Sequence, residues 1–498
     1  MHTTPHPALS PTQRGATLTV LKHPKLLLIE ILAGLVTALA LIPEALAFSV
    51  VAGVDPQVGL FACFTMATTI AITGGRRAMI SGAAGSTALV IAPLMATHGL
   101  PHLIAAVLLA GVLQILLAVF GVAKLMRFIP RQVMVGFVNA LAILIFSSQL
   151  PQLIDVPFAV YPLVVVGLII VFGLPKITTT IPAPLIAIIL LTAVTIYAGI
   201  KVPTVGEYGE LPHSLPVLSV IDVPLTVETL KTIFPFALAM AFVGLVESLM
   251  TAKLVDDITD THSNKTRESW GQGVANIVTA AFGGMGGCAM IGQTMINVKT
   301  GNARSRVSTF CAGIFVLVLS VVLGDIVARI PMAALVAVMI LVAISTFNWH
   351  SVRWSTLKAM PRAETAVMLM TVLVTVGTHN LALGVGIGIL VAMVLFARRV
   401  AHVVTVERAV QGEDTVTYSV NGPLFFASSN DLYYQFSYSD DPKNIVIDLS
   451  NSHVWDASTV SALDSIIFKY ETLGKTATVF GLNEMSHGMN NRLSGKLG

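Results

Sequence analysis

The chain has 498 residues, of which 55% are hydrophobic and only 11% are charged. A typical soluble domain carries roughly 25% charged residues, so this composition excludes an ordinary water-soluble protein over most of the chain. The net charge of +3 gives no support for nucleic-acid binding. The three cysteines, Cys63, Cys288 and Cys311, are too scattered for a disulfide framework or a zinc site.

Hydropathy divides the chain into three parts. Residues 26–400 are almost continuously apolar, whereas residues 401–498 have the composition of a soluble domain. Residues 1–25 are polar at their start and lack the apolar core and cleavage site of a signal peptide. We predict a short cytosolic N-terminal segment over 1–25, a transmembrane domain over 26–400 and a cytosolic domain over 401–498.

The apolar part separates into fourteen stretches. A helix needs about 20 apolar residues to cross the hydrocarbon core, so the third and tenth stretches are too short to span it alone. The stretches lie near 30–50, 57–74, 85–97, 102–122, 131–149, 160–173, 183–200, 232–251, 269–284, 291–299, 308–326, 331–348, 364–379 and 381–398.

The distribution of basic residues predicts the orientation in the membrane. With the N-terminus inside and fourteen crossings, the inside segments hold twenty Lys and Arg residues and the outside segments hold three. Such a bias is what the positive-inside rule requires. Both termini are therefore predicted to be cytosolic, in a multi-pass protein of a bacterial inner (cell) membrane.

The fourteen stretches form two halves that resemble each other. An odd number of spans per half makes the two copies inverted. The sequence around Glu44 in the first span aligns without gaps with that around Glu247 in the eighth. Some forty residues later come MISGAAGST (79–87) and MIGQT (290–294), which open the two short stretches.

The two short stretches predict an anion site at mid-membrane. A helix N-terminus carries free N–H groups and about half a positive charge, and two such ends facing each other attract an anion. Glycines before each stretch permit the non-helical approach that this geometry needs. We predict a substrate site built from Glu44, Ser86, Thr87, Gly292, Gln293 and Thr294.

Residues 245–306 resemble the central signature of the SulP anion-permease, or sulfate-permease, family. The resemblance lies in E-S-L-x-T-A-K, in N-x-R-E-x-x-G-Q-G-x-A-N-I and in the closing N-V-K-T-G-N-A-R-S-R. It implies an α-helical membrane fold with a 7+7 inverted repeat, in which spans 1–4 and 8–11 form a core and the other spans a gate. The anion would bind between helices 1, 3, 8 and 10, and the protein would form a homodimer.

Two positions depart from the family pattern and shape the predicted mechanism. Many members carry Gln where this chain has Glu44, and many carry Arg where it has Gln293. By resemblance, Glu247 occupies the coupling site. Buried carboxylates repel an arriving anion unless they are protonated. Anion binding and protonation therefore favour each other, and this reciprocal effect is the thermodynamic basis of proton–anion symport. A sodium ion held by Glu247, Ser248 and Thr294 is the alternative.

The C-terminal part is predicted to alternate strands and helices, as in the STAS domain that it resembles. Residues 415–428 are typical of two strands around the Asn421-Gly422 turn, and strands are predicted over 444–450 and 476–482. Asp456 or Ser458 would cap the intervening helix. In bacterial relatives the serine of a D-x-S-G motif is phosphorylated; the glycine is replaced by Thr459 here, which favours Ser458 as a cap.

These observations predict a secondary active transporter that moves a dicarboxylate or an inorganic oxyanion together with protons. The alternatives are a sodium-coupled bicarbonate or sulfate carrier, a nucleobase carrier, and a scaffold that signals through the STAS domain. A pure scaffold would show no transport with or without residues 405–498. No nucleophile–base pair or metal-ligand spacing indicates an enzyme, a cofactor or a bound metal.

Overall fold

The structure is a computed structural model that describes residues 16–125, 129–177, 182–212, 214–219, 222–224, 226–401, 404–411 and 414–496. Elements are numbered here in chain order. The first part of the chain contains α1 Thr17–Lys22, α2 Pro24–Ala52, α3 Pro56–Thr73, β1 Ser81–Gly82, α4 Gly85–Val119, α5 Val122–Leu125, α6 Arg131–Gln149, α7 Val160–Gly173, α8 Ala183–Tyr197, α9 Val227–Thr259, α10 Lys265–Ala281, β2 Cys288–Ala289, α11 Ile291–Met295, α12 Arg306–Val322, α13 Gly324–Ala328, α14 Met332–Thr346, α15 Trp354–Ala359, α16 Arg362–Thr378 and α17 Leu381–Ala401. The second part contains β3 Thr405–Gln411, β4 Thr415–Leu424, α18 Phe426–Leu432, β5 Asn444–Val454, α19 Ala457–Thr472, β6 Thr476–Phe480 and α20 Glu484–Leu493.

Many of the helices have the length and composition of membrane spans. Six are long and apolar enough to cross a bilayer: Pro24–Ala52, Pro56–Thr73, Gly85–Val119, Arg131–Leu153, Val227–Thr259 and Leu381–Val400. Four shorter apolar helices accompany them: Val160–Lys176, Ala183–Tyr197, Arg306–Val322 and Met332–Thr346. The predicted helical architecture is present in this part of the chain, and the number of crossings stays a prediction.

The membrane helices pack in two groups. One group contains α2, α3, α4, α9, α10 and α12, and the other contains α6, α7, α8, α14 and α16. The two groups meet mainly where α14 and α8 contact α2. These groups correspond to the predicted core and gate, and we use those two names for them below.

The first predicted short stretch is a separate helical segment. Helix α4 begins at Gly85 and is interrupted at Gly99, whose φ of +75° is not helical. Glycine adopts this left-handed conformation without steric cost, which makes it suited to a break between two helical segments. The break separates the stretch predicted over 85–97 from the one predicted over 102–122.

The second predicted short stretch begins at the same level of the core. Helix α11 starts at Ile291 and continues as a π-helix over Ile296–Thr300. The strands β1 and β2, which precede α4 and α11, pair in antiparallel fashion with Gly82 opposite Cys288. The two half-helices are therefore connected through a short backbone ladder.

The C-terminal part is a four-stranded sheet with helices and a core of its own. Its strand order is β3-β4-β5-β6; β3 and β4 are antiparallel, and the pairs β4–β5 and β5–β6 are parallel. The core contains the buried aromatic residues Tyr418 and Tyr470. Close packing divides the chain after Ile389, whereas the predicted boundary at residue 400 stays a prediction.

The predicted hairpin around Asn421-Gly422 is wrong. Residues 415–424 form one strand, β4, and its antiparallel partner is β3. The Asn421-Gly422 pair continues the parallel ladder to β5 after an irregularity at Ser419, and the Asn451 amide donates to Asn421 Oδ1 at 3.1 Å. A turn at this position would have removed Leu424 from the core, where it is fully buried.

The cap of helix α19 is Asp456 rather than Ser458. The Asp456 carboxylate accepts the backbone N–H of Thr459 at 3.0 Å, which is the usual geometry of an N-cap. Ser458 lies exposed inside the first helical turn. Gly474, whose φ is +72°, follows the C-cap residue Leu473 of this helix, a position that favours glycine.

Candidate functional site

A cavity of about 110 Å³ lies between the core and the gate. A cavity needs only about 10–15 Å³ to hold one water, so this one has room for several waters or one small ion. It is lined by Glu44, Phe48, Ala84, Gly85, Phe137, Val138, Leu141, Ile145, Glu247, Met290, Ile291, Gly292, Gln293, Val342, Ser345 and Thr346.

Four of the predicted site residues line this cavity: Glu44, Glu247, Gly292 and Gln293. They come from α2, α9 and α11, which are separate core elements. None of the lining residues is Lys, Arg or His. The lining is therefore acidic and contains no cationic side chain. Among the residues that the structure describes, no group of three or more His, Cys, Asp or Glu is arranged to hold a metal ion.

The carboxylate of Glu247 is held by two donors from the half-helix region. The hydroxyl of Ser86, in the first turn of α4, donates to Glu247 Oε2. The thiol of Cys288, in β2, lies 3.3 Å from the same oxygen. Glu247 is only 7% exposed, so these contacts replace most of the water that an exposed carboxyl would have. Ser86 thus reaches the site through Glu247 rather than by lining the cavity.

Both half-helices direct their first residues to the cavity. Ala84 and Gly85 open α4, and Met290 and Ile291 open α11; all four contribute to the lining. The free N–H groups of a helix start favour an anion at such a position. The strand pairing that precedes the helices holds the two ends close together, and their role as an anion site stays a prediction.

The side-chain amide of Gln293 interacts with the Glu44 carboxyl at the cavity but forms no hydrogen bond of good geometry with it. Its residue is 1% exposed, and Nε2 has no hydrogen-bond partner among the described residues. A buried amide N–H without a partner costs roughly 1–3 kcal/mol. An oxyanion in the cavity would recover that cost by accepting the hydrogen bond.

Three predicted residues use their hydroxyl groups elsewhere. The Thr87 hydroxyl donates to the carbonyl of Ala84 at 2.9 Å. Thr294 Oγ1 accepts the N–H of Ile80 at 3.0 Å. The hydroxyl of Ser248 accepts the N–H of Ala289, in β2, at 3.1 Å. None of the three lines the cavity, and their roles in binding remain predictions.

The gate contributes an apolar wall that was not predicted. Phe137, Leu141 and Ile145 lie one helical turn apart along α6 and face the cavity, and α14 adds Ser345 and Thr346. The spacing of i, i+4 and i+8 marks one face of a helix. Every span is rich in such residues, however, so no sequence signal distinguishes the cavity face from a lipid face.

Other buried carboxylates of the core have structural partners. Glu268 accepts the N–H groups of Gly75 at 2.7 Å and Arg76 at 2.9 Å. Glu30 accepts the N–H of Ser305, the N-cap residue of α12, at 3.0 Å. Hydrogen bonds from backbone donors to a carboxylate are strong. These two glutamates hold segments of the core together, and neither of them lines the cavity.

Comparison with protein families and known proteins covers both parts of the chain. The Sulfate permease family profile matches residues 27–161 and 155–371, and the STAS domain profile matches residues 407–493. The "Putative sulfate transporter YbaR" of Bacillus subtilis is 50% identical over 457 residues, which is 92% of this chain and 95% of that protein. The "Bicarbonate transporter BicA" of Picosynechococcus sp. is 24% identical over 506 residues, 91% of this chain and 88% of that protein.

Two solved structures share the fold. The inward-facing structure of murine Solute Carrier 26 family member A9, an anion transporter, has a TM-score of 0.81 at 16% identity and covers 93% of this chain and 87% of that one. The transmembrane domain of a cyanobacterial BicA has a TM-score of 0.64 at 22% identity and covers 74% of this chain and 97% of that one. At these identities the likeness concerns the fold.

Proposed function

Because this chain belongs to the sulfate permease family, we propose that it is a secondary active transporter that moves a small oxyanion across the membrane together with protons. The observation that carries the proposal is the cavity between core and gate, which is lined by two carboxyls and by no cationic side chain. An anion enters such a site only if the negative charge of the carboxyls is reduced.

Protonation is the simplest way to reduce that charge. A carboxylate in a site of low dielectric repels an anion beside it, and both effects favour the protonated carboxyl. Anion and proton therefore increase each other's affinity by the same factor, as linkage requires. A factor of ten corresponds to about 1.4 kcal/mol. This coupling is what a symporter needs.

The position of the cavity supports transport by alternating access. Glu44, Glu247 and Gln293 belong to the core, whereas Phe137 and Leu141 belong to the gate. A displacement of the core relative to the gate would open one side of the site and close the other, as in transporters built from inverted repeats. The half-helices and the anion would move with the core.

The surroundings of Glu247 favour a proton over sodium as the coupling ion. A hard cation requires several oxygen ligands. The hydroxyl of Ser248 accepts the N–H of Ala289 at 3.1 Å, and that of Thr251 donates to the carbonyl of Glu247 at 2.8 Å. The carboxylate is instead contacted by one hydroxyl and one thiol. Sodium-coupled bicarbonate or sulfate transport is the second candidate.

The cavity volume and the relatives favour an inorganic oxyanion over a dicarboxylate. A space of about 110 Å³ suits a compact ion, and the relatives are named as sulfate and bicarbonate transporters. A dicarboxylate of the size of fumarate needs a more open state of the site. The chain would work as a homodimer in a bacterial inner membrane, with its N-terminus and STAS domain in the cytoplasm.

The test is uptake into proteoliposomes. Labelled sulfate, bicarbonate and fumarate are offered separately under an inward proton gradient, with and without sodium. Wild-type protein is expected to accumulate one of the inorganic anions when the proton gradient is present, independently of sodium. Glu247→Gln should lose accumulation by at least tenfold and keep anion exchange down the concentration gradient, because a neutral amide cannot carry the proton.

Glu228→Gln is the matched control. Glu228 lies on the same helix, α9, but is exposed at its first turn, so this variant should transport like wild type. Uptake that follows the sodium gradient and ignores protons would refute proton coupling and favour the second candidate. Accumulation of fumarate alone would overturn the oxyanion assignment and retain the mechanism.

A further inference from the structure

Cys288 places a sulfur atom beside the proposed coupling carboxylate. Its side chain is fully buried in β2, opposite Gly82 of β1. The sulfur lies 3.3 Å from Glu247 Oε2 and 3.6 Å from Ser86 Oγ. Glu247, Ser86 and Cys288 thus form one compact cluster, in which the thiol occupies a position that faces the carboxylate directly.

A thiol and a hydroxyl at this position differ in what they bind. A neutral thiol is a weak hydrogen-bond donor and a weak acceptor, and sulfur ligands suit soft metals rather than hard cations. A hydroxyl oxygen of similar size is a ligand for a hard cation. Cys288 therefore leaves the carboxylate with an S–H neighbour at a place where a sodium site would require an oxygen.

We propose that Cys288 is a specificity-determining residue that makes the Glu247 cluster select a proton and exclude sodium. The inference rests on the proposed function, since it concerns the coupling ion of that transporter. Glu44, the other ionisable group of the cavity, remains the same in every variant below. The identity of residue 288 would then decide whether a proton gradient or a sodium gradient drives transport by this fold.

Replacing the sulfur by oxygen tests this directly. Cys288→Ser adds a hydroxyl beside Glu247 Oε2 and Ser86 Oγ without changing the net charge. In purified protein, sodium chloride compared with choline chloride at equal ionic strength should raise the melting temperature of Cys288→Ser by about 2 °C or more and leave wild type unchanged. In proteoliposomes a sodium gradient should increase uptake by the variant at least threefold, with no effect on wild type.

Cys63→Ser is the matched control for the chemical change. Cys63 is equally buried, but its sulfur accepts the N–H of Ala83 at 3.3 Å and makes no hydrogen bond to Glu247. This variant should stay indifferent to sodium. If Cys288→Ser fails to fold, Cys288→Thr offers the same hydroxyl on a residue that strands accept well.

The outcomes separate this inference from the proposed function. Sodium binding by wild type would overturn the inference, because the thiol would then not exclude sodium. Folded hydroxyl variants that ignore sodium would also overturn it, while proton-driven uptake by wild type would still support the proposed function. Wild-type uptake without any dependence on protons would refute the proposed function itself, whatever the melting experiment shows.

Discussion

The two cavity carboxyls have different surroundings. Glu247 is bound by donors from two other core elements, which fix its position and make it suited to coupling. Glu44, on α2, lies beside Phe48 on the same helical face and lines the cavity with Gln293. Its carboxyl interacts with the side-chain amide of Gln293, and in the proposed mechanism its charge acts on the anion.

Glu44→Gln should strengthen anion binding. Removing a negative charge from a low-dielectric cavity lowers the repulsion of an incoming anion. We therefore expect KM to fall by about five- to tenfold. Initial uptake rates over a range of anion concentrations measure this effect.

Glu228→Gln again serves as the control and should leave KM unchanged. A rise in KM for Glu44→Gln would contradict repulsion and identify Glu44 as a direct ligand that donates its proton to the anion. The proton dependence of accumulation should persist in Glu44→Gln, since Glu247 is intact.

At the residue scale, the sequence located the two carboxyls that line the cavity but not the orientation of the hydroxyl groups near it. Glu44 and Glu247 could be located because a carboxyl inside an apolar segment is rare. The position of Thr294 at the half-helix suggested a ligand, yet its hydroxyl accepts the N–H of Ile80 and does not line the cavity. Which side of a short helix faces a cavity depends on tertiary packing, and no spacing in the sequence encodes it.

At the scale of elements, the pairing of β1 and β2 holds the starts of the two half-helices together. The ladder brings Gly82 and Gly287 into direct backbone contact: a Cβ added at Gly287 would lie 1.9 Å from the carbonyl oxygen of Gly82. That atom belongs to the backbone and cannot rotate away. The close approach of the two chains therefore requires glycine at position 287.

Gly287→Ala should destabilise the core strongly. The two strands would have to separate, at a cost of about 2–3 kcal/mol or more, and the half-helix ends would move apart. Melting temperature of the purified protein and uptake should both fall. Gly386→Ala is the matched control, because Gly386 lies outside the cavity lining and a Cβ there meets nothing within 4 Å. Equal stability of the two variants would contradict the proposed role of the β1–β2 pairing.

The elements themselves were partly predictable. Glycines before each short stretch indicated non-helical backbone, and the structure has it there. The pairing of two-residue strands some two hundred residues apart has no local signal. In the tail, Asn421-Gly422 carried a strong hairpin signal, which the parallel ladder to β5 overrode; tertiary pairing outweighed local turn propensity.

At the scale of the whole molecule, the chain consists of two units with separate cores, one ending at Ile389 and the other beginning at Leu390. The contrast between an apolar and a charged region predicted a boundary at residue 400, and that boundary stays a prediction. The C-terminal core, however, contains a buried polar network that composition did not reveal. Asp441, which is 5% exposed, accepts the hydroxyls of Tyr418 at 2.7 Å and Tyr470 at 2.5 Å.

This network connects the sheet with the helix that covers it. Tyr418 belongs to β4 and Tyr470 to α19. Burial, followed by the hydrogen bond to Asp441, raises the pKa of Tyr470 well above its usual range, so its phenol stays protonated and donates. Arg408 of β3 adds two bonds of 2.9 Å to the same carboxylate.

Asp441→Asn should loosen the STAS domain and leave the transmembrane part unaffected. The amide presents one acceptor oxygen instead of two and brings an N–H that faces other donors, which costs about 2 kcal/mol or more. Amide hydrogen exchange of the full-length protein should therefore accelerate at least tenfold in β4, β5 and α19, with no change in α2, α4 and α9. The neighbouring exposed Asp440 supplies the control, since Asp440→Asn removes the same charge without a buried partner. Faster exchange throughout the membrane helices of Asp441→Asn would mean that the two units unfold together, and unchanged exchange in the sheet would mean that the tyrosine network does not stabilise it.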